Sequence, residues 1–517
     1  MNRIFLLSLF FIASLLVHVP VSAAGSPFKV RAFHLDMRTE VMTPEALESL
    51  VEHLADRGIN TLIMEWEATF PFDSNAVICN RNAYTEEEVT SFISYCNSLG
   101  IDVIPLQHCF GHCEYILRHD RYGALREDAK DPSQVCPLKI DEAVGVFSGI
   151  FSEVASLHTS RYFHIGADET YLLGDCPECS KAVEKYGKSK LFVDYVSAMC
   201  GIVERMGKIP VMWADIILQH PEALDELPDN LVFVDWNYGW SPDRFGRLDN
   251  LLDRGVRMWG AGALRSGPDN WYLTQWKKHF DNIAAFVPFA REHGYEGMVQ
   301  TSWSTSGTYG YYFDSGNEIL DMQPIRLVYP MSAFVILEDA FCQAVASDGP
   351  FVPEDFIREY ATEEMGLDEA GAEVLAGYFS MPQEQITVSA KGAFDTSGRS
   401  AEELLEECSR IRGLMAGLKP RMKKDELAHW ILMLDMRMNY LRFKAAEAEY
   451  QSPEYDRTHA AGLSAELKAI LSEEDALARR FSRLNRGYLK ESEIEYINYI
   501  KSLKINTLYN NVTNSIR

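Results

Sequence analysis

The sequence predicts an α/β protein: a (β/α)8 TIM barrel followed by a C-terminal α-helical domain. Three observations lead there. Eight apolar, β-branched runs alternate with helix-period segments within residues 28–303. The runs are nearly continuously apolar, as strands of a parallel sheet covered by helices must be. From about residue 320 the texture changes to long amphipathic helices. Eight units suit a closed barrel better than a doubly wound open sheet. The expected divisions are 1–24 for a signal peptide, 25–325 for the barrel and 326–517 for the helical region.

Element by element, the signal peptide comes first. Arg3 supplies a positive start, Ile4 to Val17 an apolar core, and the small residues around Ser22 and Ala23 a cleavage site. No cysteine follows that core and no later run spans a bilayer, so the mature chain is expected to be soluble and exported, periplasmic or secreted, with no membrane insertion. The strands read as "FKVRAFHLD" (28–36), "INTLIMEW" (59–66), "IDVIPLQ" (101–107), "RYFHIGAD" (161–168), "IPVMWAD" (209–215), "LVFVDW" (231–236), "VRMWGAG" (256–262) and "GMVQTSW" (297–303). Helical segments fall at 43–57, 85–99, 139–157, 187–206 and 277–293, with Thr43 and Thr85 as caps. Beyond the barrel, polar breaks near Pro382 and Ser452 separate long helices, and "NTLYNNVTNSIR" reads as a polar tail. No element points to a particular oligomeric state.

A net charge of −26 opposes nucleic acid or an anionic membrane as partner and serves solubility. Of the ten cysteines, Cys176 and Cys179 form a CPEC pair, with Cys109, Cys113 and Cys136 as possible neighbours. No second CxxC or HxxxH completes a four-ligand set, so a local disulfide or free thiols are expected, and no metal or cofactor.

Barrel chemistry gathers at the C-terminal ends of strands. Those ends carry Asp36, Arg38, Glu65, Trp66, Glu67, His108, His112, Asp168, Glu169, Trp213, Asp215, Asp235, Trp236, Tyr238, Trp259 and Trp303. Tryptophans mixed with acids on one rim suit a carbohydrate, whose rings stack on aromatic faces while acids take its hydroxyl hydrogens. Asp168 and Glu169 are adjacent. In an extended chain neighbouring side chains point to opposite sides, so the two acids are not expected to flank one bond. One would protonate a leaving oxygen while the other grips a polar group of the same ring. A solvated strand end or a divalent-cation site is the competing account. His164, inside the strand, reads as a satisfied core histidine.

"FHIGADET" (163–170) resembles the signature of glycoside hydrolase family 20, the β-N-acetylhexosaminidases. "EWEATFPF" (65–72), "VIPLQHCFGHCEYILRH" (103–119) and "ALRED" (124–128) resemble segments of its hexosaminidase D-like branch. The resemblance implies removal of terminal β-linked N-acetylhexosamine from a glycan by substrate-assisted catalysis through an oxazolinium ion, without a cofactor. It implies Glu169 as general acid and Asp168 as the group that orients the acetamide. His112, with Glu65 or Glu67, would tune the acid. Trp213, Trp236 and Trp303 would wall the acetamido pocket, Tyr238 or Tyr272 would hold its oxygen, and Arg38 would stand near the outer hydroxyls. "WSTSG" (303–307) departs from the family pattern on the eighth strand. Specificity for galactosaminides or sulfated sugars, or a silent glycan-binding barrel, are the alternatives.

Overall fold

A computed structural model describes residues 26–516 apart from 267–268, 271, 305–310, 314–321 and 325–327. The expected signal peptide and the part of "WSTSG" beyond Ser304 lie outside the described residues. Eight parallel strands close into a barrel in chain order: β1 (Val30–Asp36), β2 (Thr61–Glu65), β3 (Asp102–Leu106), β4 (Tyr162–His164), β5 (Ile209–Trp213), β6 (Val232–Trp236), β7 (Arg257–Arg265) and β8 (Gly297–Ser302). The β1–β8 pairing, with Ala32 opposite Val299, completes the ring.

The helices form where the apolar period changes from two to 3.6. Helix Pro44–Asp56 starts with Pro44 at its first turn and the Thr43 side chain accepting the Ala46 N–H. Helix Glu86–Ser98 starts with a full capping box between Thr85 and Glu88. Helix Val335–Ala346, which follows β8 in the ring, packs against β8 and the helix Trp276–Glu292.

Strand side chains alternate, and the alternation builds the site. Ala32, Ile63, Ile104, Val211, Val232, Val234, Trp259, Ala261 and Val299 fill the barrel interior as one apolar cluster. Continuing those inward rows by two or four residues toward the strand ends gives His34, Glu65, His108, Trp213, Trp236 and Trp303. Register sets their height: Asp36 pairs with Glu65, Glu65 with Leu106 and Leu106 with His164. The apolar floor thus ends at one level and a polar, aromatic layer begins.

Four long helices, Ala401–Gly417, Lys424–Gln451, Ala460–Leu484 and Glu491–Ile516, pack pairwise in chain order. The last of them corrects the expected polar tail. Ile505, Leu508 and Val512, at i, i+3 and i+7, are buried against the preceding helix, a stripe the surrounding asparagines conceal. This region returns to the barrel, where Lys490 N–H donates to Val41 O at 2.9 Å and Glu493 accepts the Glu40 N–H at 3.0 Å. Among the described residues no helix is long and apolar enough to cross a membrane.

Candidate active site

The adjacent acids do not diverge. Gly166 and Ala167 have φ of 71° and 68°, and Glu169 has φ of 46°, so the chain after β4 leaves extended geometry. Asp168 and Glu169 therefore both turn toward His112, whose Nε2 lies 3.3 Å from Asp168 Oδ2 and 3.2 Å from Glu169 Oε2. The expectation of opposite-facing side chains fails because it assumed a strand through residue 168, while β4 ends at His164. Left-handed backbone at non-glycine residues costs energy and collects at functional sites. Here four such residues, Glu67, His112, Ala167 and Glu169, stand around one mouth. Two glycines admit the close approach of the loops. A Cβ at Gly166 would sit 2.2 Å from His108 Nδ1, and one at Gly111 would sit 2.3 Å from the Asp168 carbonyl oxygen.

A chain of alternating acids and imidazoles crosses the mouth. Glu65 is fully buried and joins His34 Nε2 at 3.0 Å and His108 Nε2 at 3.1 Å. His108 Nδ1 lies 3.6 Å from Asp168, and His112 connects Asp168 to Glu169. The Tyr171 hydroxyl closes the series by donating to Glu169 Oε1 at 2.5 Å. Glu169 is the open end, with 31% of its side chain exposed against 8% for Asp168.

Electrostatics follow the packing. Burial alone would raise Asp168 and Glu65, but His112 outweighs it at Asp168, and Arg38 and His108 outweigh it at Glu65. Both carboxyls fall below the usual range. Burial would lower His112, and the two acids beside it lift it well above an ordinary imidazole. Asp215 goes the other way: burial, then the charge of Asp168, pushes it up to about 7, while its Oδ2 accepts the Glu169 N–H at 3.0 Å. Two nearby acids are thus driven apart in pKa by environment. His164 is fully buried, its Nδ1 accepts the Gly166 N–H at 3.0 Å, and burial lowers it to about 3.

The aromatic side of the mouth is narrower than the strand ends suggest. Trp213 and Trp303 stand 6.0 Å apart by ring centroid, and Trp303 Nε1–H donates to the Tyr238 hydroxyl at 2.9 Å. Trp236 packs beside Tyr238, ring centroids 5.2 Å apart and tilted by 42°. Tyr272 instead stacks on Tyr440 of the helical region, 4.3 Å away, so of the two only Tyr238 stands beside the tryptophans. Trp66 faces the outer helices, donating to His158 at 3.0 Å. Trp259 belongs to the barrel floor against Tyr162, because β7 continues six residues past it to Arg265. Arg38 is buried, paired with Asp36, Glu65 and Glu67 at 3.2, 3.0 and 3.4 Å, and lies 5.6 Å from the Trp303 ring. It organises acids beneath the pocket. Glu67 shares that cation, and Glu65 reaches Asp168 through His108. His34, His108, Asp215 and Tyr171 complete the constellation. The first two are signalled by their inward parity two residues before Asp36 and four after Ile104; Tyr171 has no such signal.

Glu65, Glu67 and His108 lie close enough to share a metal ion, but the Arg38 guanidinium already lies among the two carboxylates. A second group combines Cys176 and Cys179 with Cys136 and with Glu127, which the sequence did not single out. All ten cysteines are free thiols.

A model of the glycosyl hydrolase family 20 catalytic domain matches residues 64–285. That stretch contains Glu65, His112, Asp168, Glu169, Trp213, Trp236 and Tyr238, whereas Arg38 and Trp303 lie outside it. The chain is similar to hexosaminidase D of Bos taurus, 26% identical over 294 residues that cover 53% of this chain and 84% of the bovine one. It is 25% identical to hexosaminidase D of Homo sapiens over 301 residues, 54% of this chain and 61% of the human one. A β-N-acetylhexosaminidase from Bacteroides fragilis NCTC 9343 superposes with a TM-score of 0.49 at 18% identity, over 66% of this chain and 71% of that one.

Proposed function

We propose that this chain, a glycoside hydrolase with a family 20 catalytic domain, is an exported, retaining exo-β-N-acetylhexosaminidase that removes terminal β-linked GlcNAc or GalNAc from glycans. The observation that carries this reading is the convergence of Asp168 and Glu169 on His112 beside Trp213, Trp303 and Tyr238. Glu169 would protonate the departing oxygen, aided by its exposure, and then take a proton from water. Asp168, ionised beside a cationic His112, would accept the acetamide N–H and stabilise the charge that develops on nitrogen. The acetamide oxygen would then attack the anomeric carbon and form an oxazolinium ion, so no carboxylate becomes glycosylated. Tyr238 would meet the acetamide oxygen, while the tryptophans enclose its methyl group.

The N-terminal charge, apolar core and small-residue site support export.

The test is hydrolysis of nitrophenyl β-GlcNAc and β-GalNAc against the matching β-glucoside. Cleavage of either amide sugar with an inert glucoside is expected; equal rates on the glucoside overturn substrate assistance. A covalent adduct on Asp168 or another acid after 2-fluoro-sugar trapping, read by mass spectrometry, overturns it as well. Asp168→Asn should slow the chemical step by about 2.7–4 kcal/mol, the size of a preorganised electrostatic group.

A further inference from the structure

Beside the catalytic acids, two loops meet at a cluster the glycosidase chemistry does not use. One loop follows β3 and carries His112, Glu127 and Cys136; the other follows β4, carries Asp168 and Glu169, and ends at Cys176, the N-cap of the helix Pro177–Tyr186 whose first turn holds Cys179. Cys136 Sγ lies 3.5 Å from Cys179 Sγ and 3.9 Å from Cys176 Sγ, and Cys179 Sγ lies 3.3 Å from Glu127 Oε2. The four ligand atoms all fall within 4.8 Å of one another. Glu127, Cys136 and Cys179 are buried.

We propose that these four residues form a structural zinc site that staples the two catalytic loops together. Zinc–sulfur bonds of about 2.3 Å in a tetrahedron place sulfurs roughly 3.8 Å apart, which the thiol spacings match. A disulfide needs about 2.05 Å and would join only two of the three sulfurs. Three thiolates and a carboxylate are a soft, four-donor set of the kind zinc takes in closed sites, with no position left for water. The outer contacts already orient the donors: Cys176 N–H donates to Glu127 Oε1 at 2.9 Å, and Cys179 N–H donates to Cys176 Sγ at 3.3 Å. Binding releases the three thiol protons to solvent. The staple runs parallel to an existing contact, Leu172 N–H to Gln134 Oε1 at 2.9 Å. Its consequence is that His112 on one loop is held in register with Asp168 and Glu169 on the other.

The test needs no glycan and does not rest on the proposed activity. The purified full chain should contain about one zinc by mass spectrometry of the metal. Cobalt(II) exchanged into the site should give a sulfur-to-metal charge-transfer band. Cys136→Ser and Cys179→Ser should each lower retained zinc roughly tenfold or more, and chelation of the wild type should lower its Tm. Peptide mapping of the wild type guards against variants that fail to fold. Absence of zinc, zinc unchanged in both variants, or a disulfide joining any two of Cys136, Cys176 and Cys179 would overturn the assignment.

Discussion

His112 Nε2 stands between two carboxylates, 3.3 Å from Asp168 Oδ2 and 3.2 Å from Glu169 Oε2. Its left-handed backbone, φ 54°, suits asparagine better than most replacements, so His112→Asn is the informative variant. Without the imidazolium, Asp168 loses the charge that holds its carboxyl low, and the acid limb of kcat/KM should move to higher pH. Stability follows by linkage. The raised His112 stabilises the fold below about pH 6.5 and loses that effect as pH rises through its elevated value. The lowered Asp168 stabilises above about pH 3.9 and loses it as pH falls through its depressed value. The Tm advantage of wild type over His112→Asn should therefore peak between those limits and shrink on both sides. A flat difference across pH would remove the ion pair from the account.

Glu169→Gln should lower kcat on a natural disaccharide by about 10²–10⁴-fold while KM changes little. On a nitrophenyl glycoside the loss should be smaller, since that leaving group needs less protonation. Steady-state rates on both substrates check this, and equal losses would argue against proton donation.

Asp215 should report its own pH dependence. Its folded pKa of about 7 exceeds an unfolded value of about 3.9, so the native state holds the extra proton between them. Stability from this group falls as pH rises through that window, and the cost is fully present above pH 7. Asp215→Asn can still accept the Glu169 N–H but does not ionise. Its Tm relative to wild type should rise from pH 4 to pH 7 and then level off in differential scanning fluorimetry.

Tyr238→Phe removes the hydroxyl that accepts the half-buried Trp303 indole N–H and that would meet the acetamide oxygen. Affinity for a thiazoline-type inhibitor should fall by about 1–3 kcal/mol, read by calorimetry. If Trp303→Ala and Tyr238→Phe both bind normally, these side chains do not line the acetamido pocket.

Gly166→Ala should damage fold and activity together. The new methyl would meet His108 Nδ1 at 2.2 Å in a backbone with φ 71°, and strain at such a site costs about 1–3 kcal/mol. Thermal unfolding should show a drop of several degrees, accompanied by loss of kcat.

The barrel was legible in the chain because its signals are local. Apolar runs, 3.6-residue periods and caps at Thr43 and Thr85 are each written in a short window, and the helices at 140–157 and 188–205 fall within one residue of expectation. The adjacent acids were legible too, since a carboxylate pair at a strand end needs only the order of residues. Tertiary structure decided what those residues face. Strand parity and β7's length sent Trp66 and Trp259 away from the mouth, and Tyr440, 168 residues downstream, claimed Tyr272. Glu127 joined the CPEC cysteines only because two loops fold side by side. Most decisive was the backbone after His164: alternation presumes extended dihedrals, and left-handed turns at Gly166, Ala167 and Glu169 replace it with a bend that aims both acids at one imidazole. Such turns are stabilised by packing between β3 and β4 loops, and no window of sequence contains both sides of that contact.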